Sequence, residues 1–142
     1  MLRVLILALG GAIGTASRYG LNGLISGHQA KHFPLAATFP LGTMVVNITG
    51  CFAIGFLAAV SGPARGRAWL SPEWRDFLMV GFCGGYTTFS SYGLQSLNLA
   101  RDSEWLQVTA NVIGSNALGL LGVYVGWVAG RFLQAKLHGG TL

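Results

Sequence analysis

The chain has 142 residues, of which 52% are hydrophobic and 9% charged, and its mean hydropathy is +0.56. Soluble domains carry about a quarter charged residues, so an ordinary solvated surface, a disordered chain and most soluble enzymes are excluded. The formal charge of +5 does not point to nucleic acid, because the basic residues flank apolar runs as membrane topology signals do.

Charge-free runs place the predicted elements. Val4 to Ser17 is apolar until Arg18 interrupts it, and it reaches membrane length by continuing to Ile25. Phe33–Ala64, Phe77–Ala100 and Trp105–Gly130 contain no Asp, Glu, Lys or Arg. Each exceeds the roughly 20 residues a helix needs to cross a bilayer. Four helices are therefore predicted over Leu2–Ile25, Ala37–Val60, Arg75–Leu99 and Val108–Leu133, forming one all-α membrane domain over residues 1–142. The connections are Ser26–Ala36, Ser61–Trp74 and Ala100–Gln107. The first helix has some features of a signal peptide, but Arg18 and Tyr19 extend it amphiphilically, and it reads as a span.

With four spans, Arg3, Arg65, Arg67, Arg75, Arg131 and Lys136 fall on one side, and Arg18, Lys31 and Arg101 towards the other. That bias modestly favours cytoplasmic termini. Cys51 and Cys83 lie in apolar stretches and read as small buried hydrophobes. His28, His32 and His138 fall in connections or the tail and read as solvated.

All four acidic residues, Glu73, Asp76, Asp102 and Glu104, lie outside or at the margins of the spans. A proton-coupled exporter needs an intramembrane carboxylate, and no nucleophile with a recognisable base suggests a hydrolase. No G-x-x-x-x-G-K-[ST] motif is present, so ATP drive is not expected. The spans instead hold neutral hydrogen-bonding groups: Thr43, Asn47 and Thr49 in the second, Asn111, Ser115 and Asn116 in the fourth. Such residues serve either interhelical bonds or a polar pathway, and position alone leaves both open.

The third span concentrates these signals in Gly81-Phe82-Cys83-Gly84-Gly85-Tyr86-Thr87-Thr88-Phe89-Ser90-Ser91-Tyr92-Gly93. Paired glycines followed by paired threonines predict a break, whose freed carbonyls must be buried in protein or bind a cation. Phe89 and Tyr92 are three apart and share a face. Their positive ring edges suit a small anion, although a packed aromatic pair has the same spacing. The ladders Gly10-x3-Gly14, Gly81-x3-Gly85 and Gly122-x3-Gly126-x3-Gly130 predict close helix contacts, some of them between subunits.

The segments Gly10-Gly11-Ala12-Ile13-Gly14 with Arg18-Tyr19, Pro40-Leu41-Gly42-Thr43 with Val46-Asn47 and Gly50-Cys51-Phe52, and the third-span motif together resemble the Fluc (CrcB-type) fluoride channel family. The resemblance covers three spans by motif and the whole chain by length. It implies an antiparallel, dual-topology homodimer in the bacterial inner membrane. Such a dimer would enclose two fluoride pores and hold a structural Na⁺ between subunits on the Gly84 and Thr87 carbonyls. It also implies pore roles for Asn47, Phe89, Tyr92, Asn111 and Ser115, and an anion-attracting role for Arg18. Two departures stand out: Tyr92 occupies the usual second phenylalanine position, and Asn111 a position commonly held by tyrosine.

On this reading Asn47, Ser91 and Ser115 replace fluoride's water during passive export. The expected partners are fluoride, lipid and a second copy of the chain, with no nucleotide or nucleic acid and no enzymatic reaction. A fluoride/proton antiporter and a non-transporting structural subunit are the alternative readings.

Overall fold

The computed structural model describes residues 1–33, 37–62 and 70–137, and all regular structure among them is helical. Helix α1 spans Leu2–His32 and α2 spans Leu41–Ser61. A short α3, Pro72–Arg75, runs into a π-helix over Asp76–Cys83 and then into a single turn, α4, Gly84–Tyr86. Helix α5 covers Phe89–Arg101 and α6 covers Trp105–Leu137. Helices α1, α2 and α6 are long and apolar enough to cross a membrane by length and composition. The segment from Pro72 to Arg101 is divided among shorter elements.

Helix boundaries depart from the sequence expectation for local reasons. Helix α1 continues seven residues past Ile25, with Lys31 and His32 in its last turn, where positive charge complements the helix dipole. Helix α2 starts at Leu41 instead of Ala37, because Pro40 disfavours helical geometry in Phe39 and itself takes the N-cap position. The 72–101 segment begins before Arg75: the Ser71 hydroxyl accepts the Trp74 N–H at 3.4 Å, and Pro72 opens the first turn. The same hydroxyl, with the backbone and the Arg3 charge, holds the Glu73 carboxyl below its ordinary range. Helix α6 extends beyond Val108–Leu133 at both ends, to Trp105 and Leu137. Arg65, Arg67 and His138, and the 34–36 and 63–69 parts of the connections, lie outside the described residues.

Two close pairings organise the molecule, and glycines set both. Gly10 and Gly14 of α1 meet the backbone of Phe77, Gly81, Phe82 and Tyr86, while Gly85 lies on the backbone of Gly11. A methyl group at Gly14 would collide with the Phe82 carbonyl oxygen and come within 2.8 Å of the Tyr86 nitrogen. On the other side, Gly122, Gly126 and Gly130 of α6 lie against Ile48, Phe52, Phe56 and Ala59 of α2, and Gly55 of α2 against Val123. All three glycine ladders thus make close contacts within one chain.

Rising residue numbers match in both pairings, so each pair is parallel. Helix α2 is antiparallel to α1, with Gly42 beside Asn22 and Ser26. Helix α6 is antiparallel to α5, with Asn111 bonded to Ser96 and Asn116 to Tyr92. Side-chain ties join the ends accordingly. Gln29 Nε2 donates to the Phe39 carbonyl at 2.9 Å and Thr38 Oγ1 to Gln107 at 3.2 Å. At the opposite end Gln134 donates to the Gly62 carbonyl, and Arg3 lies 3.7 Å from Asp76. The up–down order agrees with the grouping of termini used in the charge count.

Candidate functional site

The regular ladder of backbone bonds stops between α4 and α5. Thr87 and Thr88 are extended, with φ/ψ of −82/159° and −149/113°. The Thr87 N–H still reaches the Cys83 carbonyl at 3.0 Å, but the Thr88 N–H turns away from Gly84 and donates to Asn47 Oδ1 at 2.8 Å. Asn47 Nδ2 in turn donates to the Thr88 carbonyl at 3.1 Å. One amide side chain on α2 therefore replaces both partners that a continuous helix would supply to Thr88. Helix α5 restarts with Thr88 as its N-cap, its Oγ1 accepting the Ser91 N–H at 3.2 Å.

The carbonyls at the interruption divide into two sets. The Gly85 oxygen accepts Arg18 Nε at 3.1 Å and Thr15 Oγ1 at 3.4 Å, and the Thr88 oxygen is held by Asn47. The Gly84 and Thr87 oxygens receive no hydrogen bond among the described residues. Gly84 is exposed, and a methyl group there would meet nothing within 4 Å.

A cavity of about 370 Å³ opens beside the interruption and brings together Asn47, Gly84, Thr87, Phe89, Tyr92 and Ser115, with Asn116 on its wall. None of its lining residues carries a charge. The Phe89 and Tyr92 rings are 5.5 Å apart and inclined at 47°, so they do share a face. Phe89 is 82% exposed in the single chain, one of many large apolar side chains that face outward.

The remaining expected site residues lie elsewhere. Arg18 and Ser91 line a separate cavity of about 60 Å³ with Asn22, Thr43 and Gln95, and Thr88 is common to both cavities. Asn111 lies outside both. It is 1% exposed and forms a buried link, donating to Ser96 Oγ at 2.9 Å and accepting from Ser115 Oγ at 3.2 Å. Ser96 passes the chain on to the Tyr92 carbonyl at 2.8 Å. In this arrangement Asn111 holds α6 to α5, and the Ser115 proton points to Asn111.

Sequence reasoning missed several residues. Gln95 lines the small cavity, and its Oε1 is buried without a hydrogen-bond partner among the described residues. Ser96 bonds Asn111 across α5 and α6 yet reads as one more neutral polar residue, and Asn116, named among the polar residues of the fourth span, pairs with Tyr92. Their pairing at sequence separations of 15 and 24 gives no local signal.

Three helices of membrane-spanning length and composition, and a neutral cavity at an interrupted helix, define a multi-pass membrane protein. A family model described as "CrcB-like protein, Camphor Resistance (CrcB)" matches residues 5–127. A protein of Opitutus terrae named "Fluoride-specific ion channel FluC" is 46% identical over 125 residues, covering 88% of this chain and 89% of its own. Proteins of the same name from Paramagnetospirillum magneticum and Rhodospirillum rubrum are 46% and 47% identical over 134 and 124 residues. These alignments cover 94% and 87% of this chain, and 99% and 91% of the relatives. The chain belongs to the CrcB-like family.

Proposed function

We propose that this protein is a fluoride-selective channel, and not an enzyme, through which fluoride leaves the cytoplasm passively across the bacterial inner membrane. The observation that carries the reading is the interrupted helix at Thr87–Thr88, clamped by Asn47 and opening on a cavity with no charged wall. The relatives' names supply the ion. Fluoride is small and strongly hydrated, so a narrow passage must replace its water with donors while avoiding a fixed charge that would trap it. Asn47 has a second amide hydrogen beyond the one given to Thr88. Phe89 offers a ring edge, and the Ser91 and Ser115 hydroxyls can rotate towards an anion. Arg18 spends its Nε on Gly85 and keeps its other guanidinium hydrogens for drawing anions into the small cavity.

The helix ends at the interruption suit opposite charges. The N-terminus of α5 presents free N–H groups and the positive end of its dipole. The Gly84 and Thr87 carbonyls are hard oxygen donors without partners among the described residues, a set that fits Na⁺. A resident Na⁺ held there would fix the two threonines in their extended form.

The complete assembly in this reading is an antiparallel homodimer of a single four-span domain, residues 1–142, with Arg75–Leu99 as the broken third span. It encloses two pores and holds Na⁺ on carbonyls from both copies. The exposure of Phe89, Asn116 and Gly84 in one chain supports a covering partner, because an outward Asn in lipid is costly. Dual topology is tested with Glu104→Cys in a Cys51→Ala, Cys83→Ala background. Labelling from both faces of the membrane is expected, and labelling from one face in active protein would contradict it.

Flux is tested in liposomes loaded with potassium fluoride. The channel reading expects efflux that requires a valinomycin shunt and ignores a pH gradient. Obligatory proton coupling would favour an antiporter, and no flux from well-folded dimers would favour a structural subunit.

A further inference from the structure

Tyr92 and Asn116 form a donor chain that ends at the large cavity. Asn116 Nδ2 donates to the Val112 carbonyl at 2.7 Å and to the Tyr92 hydroxyl oxygen at 3.1 Å. The Val112 carbonyl fixes which way the amide faces, since Oδ1 in that place would set two acceptors against each other. The amide therefore gives a hydrogen to Tyr92, and the phenol must act as acceptor in that bond. A phenol that accepts still has one proton of its own to donate. Among the described residues that proton has no acceptor, and both side chains line the cavity that holds Phe89. Accepting a bond also polarises the O–H and strengthens its donation.

We propose that Asn116 is a positioning residue that aims the Tyr92 O–H at the permeating anion, making this tyrosine a hydrogen-bond donor to fluoride where a phenylalanine would offer only a ring edge. The proposal rests on the fluoride-channel reading and adds to it a binding group and its support. Phe89, 5.5 Å away, supplies the ring-edge contact of the same step.

The test measures fluoride flux against fluoride concentration in liposomes for wild type, Tyr92→Phe, Asn116→Leu and the double variant. Tyr92→Phe and Asn116→Leu are each expected to raise the half-saturating fluoride concentration about tenfold, the low end for a hydrogen bond to a charged group. Dimer elution is expected to hold. The double variant should match Tyr92→Phe alone, because Asn116 acts only through the hydroxyl. Asn116→Asp provides a second variant should Asn116→Leu fail to fold. Its carboxylate accepts the phenol proton and turns it from the cavity, so it should also raise half-saturation, and only while Tyr92 is present. An unchanged half-saturation in Asn116→Leu, or an equal loss in the Tyr92→Phe background, would overturn the proposal. A wild type without fluoride flux would instead overturn the channel reading on which it stands.

Discussion

Replacing Asn47 with leucine removes both bonds to the Thr88 backbone, at 2.8 and 3.1 Å, while keeping the branched skeleton of the side chain. Interhelical side-chain bonds in membranes average about 0.6 kcal/mol and reach about 1.7, so the pair contributes about 1–3 kcal/mol. The Thr88 N–H then has one nearby alternative, the Gly84 carbonyl four residues back, which would continue α4 into α5. That rearrangement regains one bond, abolishes the extended threonines and occupies an oxygen assigned to Na⁺. Asn47→Leu should therefore melt several degrees below wild type and lose at least about tenfold in fluoride flux, equivalent to about 1.4 kcal/mol. Melting is followed by circular dichroism in detergent, and flux by a fluoride electrode outside loaded liposomes. Wild-type melting together with wild-type flux would refute the argument that Asn47 maintains the interruption.

Phe89→Ile removes the ring edge at the cavity while keeping an apolar side chain, and should sharply reduce or abolish flux with the dimer intact by size-exclusion chromatography. Gly14→Ala drives a methyl group onto the Phe82 and Tyr86 backbone and should cost about 2 kcal/mol or more. Gly23→Ala meets nothing within 4 Å and should be neutral or stabilising by up to about 1 kcal/mol, both being read from melting curves. Exchanging Na⁺ for N-methylglucamine throughout purification should lower the melting temperature and the flux, and returning Na⁺ should restore both.

The spans were legible wherever charge set their limits. The apolar runs located α1, α2 and α6, since lipid demands long stretches without charge. Their ends were less legible, because Lys31 and His32 are favourable in a last helical turn and do not stop α1. The Gly-Gly-Tyr-Thr-Thr run pointed to an interruption, and Thr87 and Thr88 are extended. Its support was not legible: nothing near Asn47 in sequence indicates that its amide binds a backbone 41 residues away. The same holds for Asn111: its position left an interhelical bond and a polar pathway both open, and in the single chain its partners are Ser96 and Ser115. The glycine ladders pointed to close helix contacts, and these form within the chain, although spacing specifies a smooth helix face without saying which helix meets it. The π-helix over Asp76–Cys83 had no sequence signal that we can identify.

Voltage-clamp recording across a planar bilayer containing the purified protein tests the central claim most directly. With a tenfold fluoride gradient and impermeant counter-ions, a passive fluoride pathway predicts a current that reverses near the fluoride equilibrium potential, about 59 mV in magnitude. A pH gradient should leave that reversal potential in place. A reversal potential that moves with pH, or no fluoride current from intact dimers, would contradict the account.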